Sequence, residues 1–236
     1  MAAGRRGTVN VMGACSRSKA SLRKVVVTSS VAAVSKGDLA AQPPLCGATY
    51  SEADWNTTST VEKGEGYWVS KTRAERAAHD LAAEHGLPLA TILPNFVMGP
   101  VIGRRLDGIS AGFMKAWLEG KASAGNITYC DVRDVARAHI LAAETPAAAG
   151  RYIVSHATSA SPGFISAALA AAFPELEIPA GEDLADETSI DNRRAAQELG
   201  LKLTPLATSF VDMARTLMAL GLATPTLKGG AKKAAA

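Results

Sequence analysis

A tyrosine and a lysine four residues apart are the strongest candidates for chemistry in this sequence. They begin and end the segment Tyr67-Trp68-Val69-Ser70-Lys71, and residues four apart on a helix share one face. A lysine ammonium beside a phenol favours the phenolate, so such a tyrosine can exchange protons near neutral pH. The spacing alone is weak evidence, because it arises often by chance and also fits a helix-start tyrosine beside a solvated lysine.

The elements around this motif predict where it lies. Residues 24–30 form a β-branched run that ends in hydroxyls, which is typical of a buried parallel strand. A helix is predicted at 70–85 and a second strand at 88–93. Open α/β sheets bind ligands beyond the carboxyl ends of their strands. The hydroxyl of Ser30 can therefore converge with the tyrosine and the lysine on one crevice.

Strands and helices also alternate along the rest of the chain, which predicts an α/β fold with a Rossmann-like parallel sheet and flanking helices. Further helices are predicted at 111–119, 134–144, 161–173, 192–199 and 209–220, and further strands at 127–132 and 151–155. Residues 35–56 predict a loop. We expect one domain over 1–225 and a disordered basic tail over 226–236.

Composition excludes several classes of function. The 236 residues are 47% hydrophobic and 20% charged, so the chain can bury a core. The net charge of +3 gives no broad footprint for nucleic acid, and no apolar run is long enough for a membrane span. The three cysteines form no CxxC pair, which predicts a reducing compartment such as the cytoplasm. The four histidines show no metal-ligand spacing.

A second motif competes for the chemistry. Gly108-Ile109-Ser110-Ala111-Gly112 matches the G-x-S-x-G nucleophile elbow of α/β-hydrolases, and Asp134 and His156 follow in the required order. The elbow needs a buried strand directly before it, and residues 104–107 do not read as one. The charged residues Asp131, Arg133 and Asp134 also follow a predicted strand, and we favour a helix cap with a structural ion pair for them.

Five motifs in order resemble the extended short-chain dehydrogenase/reductases, within the NAD-dependent epimerase/dehydratase superfamily. They are VVVTSSVAAV, YWVSKTRAERAA, ILPNFVMGP, DVRDVARAHILAAE and GRYIVS. The dihydroflavonol reductase and cinnamoyl-CoA reductase branch is the most similar, and the resemblance covers about residues 7–222. It implies a Rossmann sheet and reduction of a carbonyl with NADP as cofactor, with NAD possible.

The resemblance also assigns roles to residues. Tyr67 would donate the proton to the carbonyl oxygen, Ser30 would orient that oxygen, and Lys71 would promote ionisation of Tyr67 and bind the nicotinamide ribose. The family's remaining contacts to the cofactor fall on Pro94, Asn95, Phe96, Val97 and Ser110.

The chain departs from the family pattern in two ways. The Gly-rich turn that cradles the pyrophosphate is not found, and Gly7-Thr8-Val9-Asn10-Val11 instead resembles the helix just before the Ser30 strand. We therefore expect this chain to lack the family's first strands, to bind cofactor poorly and to expose a sheet edge. Ser35 also stands where dihydroflavonol reductases tend to have an asparagine for the substrate.

The resulting interpretation is an NAD(P)H-dependent oxidoreductase acting on the ketone, aldehyde or thioester of a small, phenylpropanoid- or flavonoid-like molecule. Its expected partner is this carbonyl substrate, with no nucleic acid, no membrane and no metal. Two alternatives stay open at this point: a truncated, non-catalytic remnant or fragment, and a sugar-nucleotide epimerase or dehydratase. The sequence leaves the oligomeric state open.

Overall fold

The computed structural model describes residues 2–121, 125–185 and 190–229. Its helices are α1 (Ala2–Arg17), α2 (Gly66–His85), α3 (Ile109–Leu118), α4 (Val132–Glu144), α5 (Pro162–Ala172), α6 (Arg193–Leu199) and α7 (Leu206–Ala219). Its strands are β1 (Val25–Thr28), β2 (Leu89–Pro94), β3 (Phe96–Met98), β4 (Tyr129–Asp131) and β5 (Gly150–Val154). The described residues pack into two compact units. Unit 1 comes from 1–95, 135–157 and 188–202, and unit 2 from 96–134, 158–187 and 203–236.

Unit 1 contains a parallel sheet of three strands in the order β1-β2-β5. Val25 is level with Leu89, and Ala90 is level with Gly150. Every residue of β2 is buried because the strand lies between two neighbours. This parallel α/β architecture confirms the predicted fold class.

β1 is less buried than its sequence predicts. Its first residue, Val25, is buried, whereas Thr28 at its other end is exposed. The strand also ends at Thr28, two residues before the predicted end at Ser30. The reason is its place in the sheet, since β2 is the neighbour of β1 among the described strands and its other side is an edge.

α2 of unit 1 is longer than its periodicity predicts. α2 begins at Gly66 rather than at residue 70, so the candidate tyrosine lies in its first turn. It ends at Gly86, whose φ of 61° places the backbone in the left-handed region, where glycine has no Cβ penalty. α1 packs against α2 and contains the segment interpreted as a helix before the Ser30 strand. Their shared core includes Met12, Ala78 and Ala82.

Unit 2 is built on the parallel pair β3–β4 and on three helices, α3, α5 and α7. Its core contains the fully buried Trp117, Tyr129 and Phe210. β3 is not predicted from the sequence, because three residues are too few to show an alternating pattern and the strand begins only one residue after β2.

The structure describes residues 226–229, the first part of the segment that is expected to be a disordered tail. The Thr226 N–H donates to the carbonyl of Leu118 at 3.1 Å, and the Lys228 N–H donates to the carbonyl of Glu175 at 3.0 Å. Thr226 and Lys228 therefore form backbone hydrogen bonds, which amino-acid composition alone does not predict. Residues 230–236 of the predicted tail lie outside the described residues.

Two further findings concern the described part of the chain. Cys15, Cys46 and Cys130 form no disulfide bond within the described residues. None of the described helices combines the length and the apolar character needed to cross a membrane.

Candidate active site

Tyr67 and Lys71 lie one turn apart on α2 and share a face of the helix. The Lys71 Nζ atom is 5.7 Å from the centre of the Tyr67 ring. Tyr67 is 55% exposed, and its ring makes an edge contact with Trp68 at 5.7 Å between centroids. The Lys71 ammonium therefore lies near the phenol ring, and the tyrosine is open to a ligand.

The N-terminal end of α2 is fixed by the carboxylate of Glu65. It accepts a hydrogen bond from the Thr60 N–H at 3.1 Å and forms an ion pair with Lys36. The Lys36 ammonium also lies 6.0 Å from the Trp68 ring. These contacts hold the first turn of the helix, which carries Tyr67.

Ser30 follows β1 and begins a short 3-10 turn, Val31–Ala33. Its Oγ accepts a hydrogen bond from the Ala32 N–H at 3.2 Å. Among the described residues the Ser30 hydroxyl proton has no acceptor, so it can donate to an oxygen of a ligand. α2 packs against this turn, which brings the element that carries Ser30 next to the helix that carries Tyr67 and Lys71.

Pro94 and Asn95 stand at the carboxyl end of β2. The Asn95 N–H donates to the carbonyl of Val154 at 3.2 Å, and its Nδ2 donates to the Ser155 hydroxyl at 3.3 Å. Because β1, β2 and β5 are parallel, Ser30 and Asn95 lie at the same edge of the sheet, beyond the carboxyl ends of β1 and β2. Open α/β sheets bind ligands at this edge.

The other three candidates belong to unit 2. Phe96 lies in β3, where its ring is 5.5 Å from the rings of both Phe113 and Tyr129. Val97 pairs with Cys130 of β4. Ser110 is half-buried in the first turn of α3.

The surroundings of Ser110 do not have the architecture of a hydrolase elbow. Gly108 is the N-cap of α3, and residues 99–108 are irregular rather than a strand. A nucleophile elbow needs a strand that leads directly into the turn before the helix. The G-x-S-x-G match is therefore a coincidence of sequence.

Asp131, Arg133 and Asp134 lie where β4 ends and α4 begins, and the Arg133 N–H donates to the Asp131 carboxylate at 2.7 Å. Asp131 is fully buried and accepts hydrogen bonds from the Arg133 guanidinium at 2.8 Å and from the Ser209 hydroxyl at 2.6 Å. Asp134 accepts from the backbone N–H of Thr204 at 2.7 Å. These partners give the carboxylates a structural role.

A buried polar cluster next to the candidate site is not predicted from the sequence. Its centre is Glu75 of α2, which accepts hydrogen bonds from Ser29, Thr91 and Arg151. Burial opposes ionisation of Glu75, but its contacts with His79, Arg151 and Ser29 outweigh burial and hold the pKa of this carboxyl below its ordinary value. The sequence carried one signal, a glutamate on the alanine-rich face of the helix one turn after Lys71.

The donor groups of unit 1 suit one end of a dinucleotide. The Tyr67 hydroxyl and the Lys71 ammonium are donors of the kind that ribose hydroxyls accept. Among the described residues no Gly-rich turn joins a strand to a helix N-terminus, so the residues present fit the nicotinamide ribose rather than the pyrophosphate. The described residues also contain no group of three His, Cys, Asp or Glu side chains that could hold a metal ion.

Comparison with known families and proteins gives consistent results. The model of the NAD dependent epimerase/dehydratase family matches residues 1–155. Tetraketide alpha-pyrone reductase 1 of Arabidopsis thaliana is 34% identical over 221 residues, which cover 91% of this chain. Cinnamoyl-CoA reductase CAD2 of Medicago truncatula is 32% identical over 225 residues, which cover 90% of this chain. The chain spans 66% and 65% of the lengths of these two relatives.

Solved structures agree with this assignment. Gre2 from Candida albicans superposes with a TM-score of 0.80 at 29% identity, over 92% of this chain and 71% of that chain. The structure of the same protein in complex with NADPH gives a TM-score of 0.76 at 28% identity, over 91% of this chain and 69% of that chain.

Proposed function

The chain belongs to the NAD dependent epimerase/dehydratase family, and from this premise we propose that it acts as an NADPH-dependent carbonyl reductase. The proposed substrate is a small phenylpropanoid- or flavonoid-like molecule that carries a ketone, an aldehyde or a thioester. The relatives named as reductases support this class of reaction. The observation that carries the proposal is the pairing of Tyr67 and Lys71 on one exposed face of α2, with 5.7 Å between the ammonium and the phenol ring.

Three side chains would do the chemistry that the protein itself supplies. Tyr67 donates its hydroxyl proton to the carbonyl oxygen as negative charge develops there. Ser30 donates a hydrogen bond to the same oxygen and orients it. Lys71 promotes the release of this proton, because its ammonium stabilises the Tyr67 phenolate, and it binds ribose hydroxyls. NADPH, when bound, supplies the hydride that adds to the carbonyl carbon.

The proposed contacts to the cofactor follow the resemblance to the family. Tyr67, Lys71, Pro94 and Asn95 of unit 1 would contact the nicotinamide ribose and ring. The resemblance assigns the remaining contacts to Phe96, Val97 and Ser110 of unit 2. The complex of Gre2 with NADPH, a homologue of similar fold, supports the choice of this cofactor.

Replacement of the proton donor tests the proposal. Tyr67→Phe keeps the ring and removes the hydroxyl, so we expect turnover to fall at least about a hundredfold, as loss of a general acid does. The measurement is the loss of NADPH absorbance with cinnamoyl-CoA and with a dihydroflavonol as substrates. An epimerase or dehydratase consumes no NADPH overall, so conversion of a sugar nucleotide, detected by product analysis, with neither carbonyl substrate reduced would instead indicate that class of enzyme.

A pair of lysine variants provides the matched control. Lys71→Met should lower both turnover and the affinity for NADPH, because this ammonium serves the tyrosine and the ribose. Lys63→Met removes an exposed ammonium just before α2 and should leave both quantities unchanged. Near-normal turnover in Tyr67→Phe would refute the role of Tyr67.

A further inference from the structure

Glu75 connects α2 to every strand of the unit 1 sheet. Its carboxylate accepts a hydrogen bond at 2.6 Å from the hydroxyl of Ser29, which directly follows β1. It accepts a second at 3.0 Å from Thr91 in β2 and a third at 2.9 Å from the Nε of Arg151 in β5. Glu75 is 1% exposed, so water does not compete for these bonds.

Arg151 is itself held rigidly. The residue is 5% exposed, and its Nη1 donates to the carbonyls of Glu52 and Asp54. Its guanidinium also stacks on the Trp55 ring at 3.8 Å. Because Arg151 is held in place, the carboxylate that pairs with it is held in place too. Glu75 therefore provides a rigid contact for the residues that donate hydrogen bonds to it.

The hydrogen bond from the Ser29 hydroxyl connects Glu75 to the candidate site. Ser29 is buried and immediately precedes Ser30, and its N–H donates to the carbonyl of Ile92 at 2.7 Å. Glu75 lies one helical turn after Lys71. The Ser29–Glu75 hydrogen bond therefore joins the chain next to Ser30 to the helix that carries Tyr67 and Lys71.

We propose that Glu75 is a positioning residue, which acts through Ser29 to hold Ser30 in register with Tyr67 and Lys71. This role rests on the proposed function, in which Ser30 and Tyr67 must reach one carbonyl oxygen. Glu75 contacts neither substrate nor cofactor in this proposal. It acts by limiting how far the strand end and the helix can move apart, and small displacements of reacting groups are expensive in rate.

Two substitutions that each remove one hydroxyl distinguish a positioning role of Glu75 from a general contribution of Glu75 to the stability of the core. Ser29→Ala and Thr91→Val each remove one hydroxyl donor to the same carboxylate, and both leave the Glu75–Arg151 ion pair in place. Only Ser29 adjoins Ser30. We expect kcat to fall about tenfold in Ser29→Ala with the KM for NADPH unchanged, and kcat to stay within about twofold in Thr91→Val.

Hydrogen exchange gives a readout that does not depend on activity. The amides of Ala33 and Val34 bond to the carbonyls of Ser30 and Val31 in the turn after β1. In the purified protein, Ser29→Ala should speed exchange at these two amides, and Thr91→Val should not.

The combined outcomes distinguish the two proposals. Faster exchange in Ser29→Ala alone, in a protein without reductase activity, supports the link from Glu75 through Ser29 to the Ser30 turn and overturns the proposed function. Reductase activity with equal kcat and equal exchange in Ser29→Ala and Thr91→Val supports the proposed function and overturns the positioning role. Glu75→Gln does not distinguish the two proposals, because it leaves the buried Arg151 without its counter-charge and so destabilises the fold.

Discussion

Buried polar side chains in this protein differ in whether they have a partner. In unit 1, Tyr50 is 2% exposed, and its hydroxyl donates to the carbonyl of Gln42 at 2.7 Å. In unit 2, Tyr129 is fully buried, and its hydroxyl has no partner among the described residues. Burial raises the pKa of the Tyr129 phenol above its ordinary value, because the charged form would be desolvated. The two tyrosines therefore predict opposite effects of losing a hydroxyl.

Replacement of both tyrosines by phenylalanine tests this contrast. Tyr129→Phe removes an unpaired buried hydroxyl, so the free energy of unfolding should rise by up to about 1–3 kcal/mol. Tyr50→Phe removes a paired hydroxyl and leaves a buried carbonyl with one donor fewer, so the free energy of unfolding should fall by about 1 kcal/mol. Urea unfolding of the two variants measures both changes. A loss of stability in Tyr129→Phe would contradict the prediction and reveal an ordered water bound to the hydroxyl.

At the scale of the element, the ends of the helices depend on backbone conformation. α6 ends at Gly200, where φ is +67° and the N–H bonds to the carbonyls of Ala195 and Ala196. A Cβ on Gly200 would meet no atom within 4 Å, so the cost of a side chain there is conformational alone. Gly7 lies inside α1 with equally open space around it, and its backbone is helical. The two glycines form a matched pair.

Alanine should change stability in opposite directions at these positions. Gly200→Ala forces an alanine into the left-handed region, and we expect a loss of about 1–2 kcal/mol in the free energy of unfolding. Gly7→Ala lowers the backbone entropy of the unfolded chain at a helical position, and we expect a gain of about 0.5–1 kcal/mol. Thermal unfolding of both variants measures these two changes in stability. Equal effects of the two substitutions would show that the end of α6 does not need the left-handed conformation.

Across the whole molecule, buried carboxylates make stability depend on pH. Glu75 in unit 1 and Asp131 in unit 2 are both fully buried. Burial opposes their ionisation, but hydrogen bonds from partners that include Arg151 and Arg133 outweigh it and hold both pKa values below the ordinary range. A carboxyl with a depressed pKa in the folded state stabilises the fold fully above its unfolded pKa. That stabilisation is lost as the pH falls through the folded value.

The free energy of unfolding should therefore fall on acidification, starting near the unfolded carboxyl values of about pH 4. Urea unfolding measured at a series of pH values checks the sign. Asp131→Asn should flatten the dependence, because the substituted amide does not titrate. A protein that becomes more stable as the pH falls from neutral would contradict the assignment of these carboxylates as ionised in the fold.

The sequence by itself determined the local features of this protein. The alternation of β-branched runs with helical periodicity was enough for the parallel α/β class, because burial between layers imposes those patterns. The four-residue spacing indicated one helical face for Tyr67 and Lys71, although the helix predicted from periodicity began only at residue 70. The order of five motifs was enough to indicate the family to which the chain belongs. Exact helix starts were missed, as at Gly66, since helix propensity changes little across a terminus.

Only the tertiary structure decided which distant residues meet. The partners of Glu75 are Ser29 and Arg151, which lie 46 and 76 residues away along the chain, and strand order is what brings them together. The same strand order left β1 at an edge with Thr28 exposed, although the composition of the strand predicts full burial. Periodicity reports which face of an element is apolar, but it does not report which neighbour covers that face. The proximity of Tyr67 and Lys71 could therefore be predicted from their spacing, and the polar cluster next to them could not.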